Sequence, residues 1–139
     1  MPASLVLFRM LILASVVTGV LGAFVDVMFP TLIPASLASA FEALPPPQMF
    51  AIIGAGLLLL VTFGGFVTAM VGLYTFQPWS RGLAITMTLL SLLSYPLLGV
   101  EIQSGWAKLL LECSSMLWGA VIAMSYVSSV SHRFEQVSR

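Results

Sequence analysis

Long apolar stretches, cut at a few charged and proline-rich points, set the pattern of this chain. A membrane-spanning helix needs about 20 predominantly apolar residues to cross about 30 Å of hydrocarbon. Between Arg9 and Asp26 lie 16 uncharged residues, and between Glu42 and Arg81 lie 38. Two further stretches of 19 each follow, between Arg81 and Glu101 and between Glu112 and His132. The first stretch reaches spanning length if the helix starts near Leu5 and Arg9 snorkels toward the headgroups. The 38-residue stretch has Pro45, Pro46 and Pro47 near its start and Pro78 near its end, so one long span from Gln48 is more economical than two. The pattern therefore predicts four helices, at 5–28, 48–74, 80–99 and 108–130, joined by an outer loop at 29–47 and followed by a tail at 131–139. The expected fold is all-α: an integral membrane four-helix transmembrane bundle forming a single domain.

Composition agrees. Only 7% of the residues are charged and 60% are hydrophobic, against about 25% charged in an ordinary soluble domain. Too few charges remain to coat a water-soluble globule. A soluble enzyme, a nucleic-acid binder and a disordered tail are thereby excluded.

Lys and Arg in short loops set orientation. Arg9, Arg81, Arg133 and Arg139 fall on one side of the predicted bundle and Lys108 alone on the other. This places both termini in the cytoplasm (N-in/C-in), with a bacterial inner membrane as the expected location. The first stretch also has signal-peptide features, with small residues near Gly22 and Ala23, but its apolar run is long for an h-region and reads as a retained span. Cys113 is the single cysteine, so no intrachain disulfide and no thiol-redox pair is available.

Helices in lipid associate through small residues that let backbones approach. Ser15, Gly19 and Ala23 recur every four residues on the first span, Gly64, Thr68 and Gly72 on the second, and Ser115, Gly119 and Ala123 on the fourth. The third offers a mildly polar stripe of Thr88, Ser91 and Tyr95. These stripes predict a compact bundle. A homo-oligomer interface requires more such faces than internal packing uses. In the outer loop, the run from Pro34 to Pro45 has helical character, with Leu37, Phe41 and Leu44 on one face, and reads as a short amphipathic interfacial helix. Tyr74, Trp79, Arg81 and Trp106 read as interfacial anchors. Trp118 falls near mid-membrane, where its indole N–H wants a Ser or Thr partner on a neighbouring helix.

No ionisable residue is expected at mid-depth. Asp26, Glu101, Lys108 and Glu112 all fall near the outer boundary and are the candidates for polar or ion contacts, with Lys108 and Glu112 spaced for a local ion pair. No catalytic constellation, phosphate loop or metal-ligand spacing is present, so no catalytic residue, cofactor or metal is expected. Small multidrug transporters also have four helices, but they use an acid well inside the first span, where this chain is apolar until Asp26. Double-barrelled fluoride channels are likewise short and glycine-rich. The stretch Gly72-Leu-Tyr-Thr-Phe76 resembles their Thr/Phe-rich segment, but their Gly-rich, Arg-containing N-terminal signature is missing here.

The expected role is a non-enzymatic accessory, assembly or scaffold subunit acting through helix packing. Its expected partners are membrane lipids and another membrane protein or a second copy, and not nucleic acid. The alternative is a small homo-oligomeric channel or transporter with a pathway between subunits. A lipid-handling role for the outer loop is a third reading.

Overall fold

The computed structural model describes residues 3–42, 49–98, 102–127 and 129–136. Among the described residues every regular element is helical and none is a strand. In chain order these are α1 (Ala3–Met28), a short 3-10 turn (Pro30–Leu32), α2 (Ala35–Glu42), α3 (Met49–Tyr74), α4 (Pro78–Leu98), α5 (Gly105–Val127) and α6 (Ser131–Gln136). Three helices, over Ala3–Met28, Ile53–Tyr74 and Gly105–Val127, are long and apolar enough to cross a membrane. A fourth long helix, α4, runs for 21 residues.

The long helices form two antiparallel pairs, α1 with α5 and α3 with α4, with slighter contact between the pairs. The register of the first pair is marked by Ser4 beside Ser129, Ser15 beside Ser114, and Asp26 beside Ser104. The second pair is a hairpin closed at 75–77, with Gly65 against Met87 and Gly72 against Trp79 and Ser80. One end of the bundle, the tail end, holds the start of α1, the 75–77 turn and α6. The other, the loop end, holds α2, Asp26 and the start of α5.

Local chemistry explains the boundaries. Proline lacks an N–H and has a helical φ, which suits the first turn, and Pro78 opens α4. The final long helix starts at Gly105 rather than near residue 108 because Ser104 caps it, its Oγ accepting the Ala107 N–H at 3.2 Å. It ends at Val127 rather than near residue 130. Residues 131–136, expected as tail, instead form α6, which buries Phe134 completely beside the equally buried Val130. The run after Pro34 does form a helix, α2, on which Leu37 is exposed. Leu44 and Pro45–Pro47 lie outside the described residues.

Among the described residues the buried apolar ones are few: Phe8, Ile12, Ala69, Leu73, Ala84, Ala107, Val121, Val130 and Phe134. Large side chains such as Leu60, Phe63, Leu93 and Met116 are each at least 70% exposed. Such an outward face is untenable in water over this length and natural in hydrocarbon. With apolar solvent outside, close packing and hydrogen bonds must hold the helices together.

Candidate functional site

Hydroxyls in hydrocarbon need acceptors, and most of those here find them one turn back on their own helix. Thr18 donates to the Ala14 carbonyl at 2.8 Å, Thr68 to Gly64 at 2.8 Å, Thr86 to Gly82 at 2.9 Å and Ser125 to Ile122 at 2.7 Å. Thr62 does the same to the Leu58 carbonyl. These side chains are engaged locally and do not build a shared polar track.

Others join helices, and two of these arrangements lie well inside the bundle. Ser114 Oγ donates to the Ser15 carbonyl at 2.7 Å, and Ser15 Oγ donates to the Ser114 carbonyl at 3.1 Å. This reciprocal pair clamps α1 to α5. In the middle of the bundle, Trp118 Nε1 donates to Thr88 Oγ1 at 3.0 Å, while that hydroxyl donates to the Ala84 carbonyl at 2.8 Å. Phe66 meets the Trp118 ring edge-on, with centroids 5.6 Å apart. Trp118 thus ties α5 to α3 and α4, through the hydroxyl partner that its position demands.

The predicted small-residue stripes are divided between inside and outside. Ser15 is buried and Gly19 is close-packed: a Cβ at Gly19 would stand 2.9 Å from Ser114 Oγ. Gly22, not Ala23, continues the contact; its Cβ would meet Leu111 Cγ at 2.9 Å, whereas Ala23 is exposed. On α3, Gly72 is buried against Ser80 and Trp79, but Gly64 and Thr68 are exposed, and Gly65 takes the inward place. On α5, Ser115, Gly119 and Ala123 are all exposed, and no atom lies within 4 Å of a Cβ built at Gly119. The inward face of α5 is instead marked by Ala107, Ser114, Val121 and Ser125.

At the loop end, Asp26 Oδ2 accepts the Ser104 N–H at 2.8 Å, and its Oδ1 is buried without a hydrogen-bond partner. The carboxylate therefore sits at the start of α5, where the helix dipole favours negative charge. Lys108 Nζ lies 4.0 Å from Glu112 Oε1, with both side chains well exposed, a pairing worth little in stability. Glu101 lies outside the described residues. Cys113 is exposed. Among the described residues no three His, Cys, Asp or Glu side chains are grouped to hold a metal ion.

The tail end carries an arrangement that sequence spacing does not announce. Phe8, Phe76 and Phe134 form an aromatic cluster, with centroid separations of 5.9 Å (Phe8–Phe76), 6.3 Å (Phe8–Phe134) and 5.4 Å (Phe76–Phe134). It gathers α1, the α3–α4 turn and α6. Phe76 has a left-handed φ of 59°. The turn closes α3 by two bonds, from the Gln77 N–H to the Gly72 carbonyl at 2.8 Å and from the Phe76 N–H to the Leu73 carbonyl at 3.2 Å. Glycine is the usual residue at this point of such a cap. A phenylalanine is strained there and is held by its ring contacts.

Two arginines flank the cluster. Arg81 lies over the Tyr126 ring at 5.1 Å and the Phe134 ring at 4.9 Å, and its Nη1 donates to the Ser125 carbonyl at 3.3 Å. It is turned inward onto the last turn of α5. Arg9 lies over the Tyr74 ring at 4.7 Å and the Phe76 ring at 5.5 Å, and its Nε is buried without a hydrogen-bond partner. Of the other expected anchors, Trp79 packs against Gly72 while remaining half exposed, and Trp106 is exposed beside the α5 start.

Comparison with known protein families, curated proteins and solved structures finds no match in any of the three.

Proposed function

We propose that the chain is a four-span integral membrane protein with both termini in the cytoplasm, most simply of a bacterial inner membrane. In this reading it acts as a non-enzymatic accessory, assembly or scaffold subunit. The observation that carries this reading is a surplus of small-residue surface. The internal contacts use Ser15, Gly19, Gly22, Gly65 and Gly72, while Ser115, Gly119 and Ala123 form a second, exposed stripe on α5 that none of the described residues covers. Large neighbours such as Met116, 72% exposed, flank that stripe. A groove of this kind lets another helix approach closely. α4 completes the fourth span through its length and its antiparallel packing on α3. The channel or transporter alternative has less support. Most described hydroxyls are engaged with their own backbone, Lys108 with Glu112, and Asp26 with the α5 start.

Gly119→Leu separates partner binding from folding. The full-length protein, extracted in mild detergent, is expected to carry a second copy or another membrane protein, identified by mass spectrometry. Gly119→Leu is expected to lose that partner and keep its helical content and melting temperature, because its side chain meets open space in the isolated chain. A wild-type protein that runs alone as a monomer contradicts the proposal.

A further inference from the structure

The two tail-end arginines share an aromatic setting and differ in what satisfies them. The Arg81 guanidinium has a carbonyl acceptor in the last turn of α5 and so does a structural job. Among the described residues Arg9 has none, and its Nε is buried without a partner. No carboxylate lies within 4.0 Å of it among the described residues. Asp26 and Glu112 belong to the loop-end half of the bundle, Glu42 ends α2, and Glu135 faces His132 at 3.8 Å. A guanidinium held on two ring faces, with its Nε buried and unpartnered, suits a planar or tetrahedral oxyanion.

We propose that Arg9 and Tyr74 form a binding site for the phosphate group of an anionic phospholipid, in the leaflet that meets the tail end. The site rests on the membrane placement proposed above, and not on any protein partner. Tyr74, 40% exposed, lies with its ring centroid 4.7 Å from the Arg9 guanidinium and carries a phenolic O–H as a second donor. Helical spacing then aligns exposed apolar residues beneath the pair: Leu13 and Val17 on α1, and Val67 and Val71 on α3. An anion with acyl chains fills both parts of this surface, whereas a free phosphate fills only the polar part.

The test is a lipid titration of the delipidated full-length protein in neutral detergent, read by native mass spectrometry. Phosphatidylglycerol is expected to bind about tenfold more tightly than phosphatidylcholine. Arg9→Gln is expected to bring that ratio close to one, while Arg133→Gln, on an exposed tail arginine, leaves it unchanged. A wild-type ratio near one, or an undiminished ratio in Arg9→Gln, overturns the proposal. Inorganic phosphate that competes fully with phosphatidylglycerol at millimolar concentration assigns the site to a soluble anion and overturns the lipid assignment. If Arg9→Gln does not fold, Arg9→Lys decides. It keeps the charge without the fork, and the ratio is expected to fall several-fold; an unchanged ratio overturns the assignment.

Discussion

Phe8→Ala is expected to destabilise the protein by about 3–5 kcal/mol, the range for removing a fully buried phenylalanine from a packed cluster. Phe8 is completely buried and touches both Phe76 and Phe134. Its loss opens a cavity where α1, the α3–α4 turn and α6 meet. The same cluster holds Phe76 in its left-handed conformation, so the turn loses support as the cavity forms. The check is reversible unfolding in mixed micelles. The double variant with Phe134→Ala is expected to cost less than the sum of the singles, because each truncation removes the other's partner. Fully additive effects would show that the three rings do not act as a unit.

Gly72→Ala is expected to cost about 1–3 kcal/mol through overpacking. An added Cβ would stand 2.6 Å from Ser80 Cβ, an atom fixed to the backbone of α4, and 2.9 Å from a ring carbon of Trp79. The helices must separate to admit it. Gly64→Ala, eight residues earlier on the same helix, meets nothing within 4 Å. It is expected to be neutral or to stabilise by up to about 1 kcal/mol through helix propensity. Both are read by the same unfolding assay, and equal effects at the two sites would contradict the inward placement of Gly72.

These two glycines also show how far the sequence was legible. Strict spacing by four selects Gly64, Thr68 and Gly72, or Ser115, Gly119 and Ala123. At 3.6 residues per turn each such step rotates about 40° around the helix, so the stripe walks off the contact face. The faces that pack advance by alternating steps of four and three: Phe8, Ile12, Ser15, Gly19, Gly22 and Asp26 on α1, and Thr62, Gly65, Ala69 and Gly72 on α3. That average of 3.5 keeps a seam straight along a slightly supercoiled pair. Because most of the chain is apolar, hydrophobicity does not distinguish the seam from the lipid face, and Ala23 reads like Gly22. Trp118 was legible because its indole N–H requires a partner at depth. The aromatic cluster was not, since Phe8, Phe76 and Phe134 meet only through the folding of α6 onto the tail end. The long apolar stretches themselves were plain, as they depend on length and composition alone.

The proposed topology requires α1, α3, α4 and α5 all to cross the bilayer, and single-cysteine accessibility tests this most directly. In a Cys113→Ser background, cysteines are placed at Ser36, Gln77 and Gly105, one for each of the three connections of the proposed bundle, and at Ser129 after the last span. A membrane-impermeant maleimide is then applied to intact and to permeabilised cells. Labelling at Ser36 and Gly105 in intact cells, and at Gln77 and Ser129 only after permeabilisation, is the result expected of four spans with both termini inside. Labelling of Gln77 and Gly105 from the same side would show that α4 does not cross, and would contradict the account.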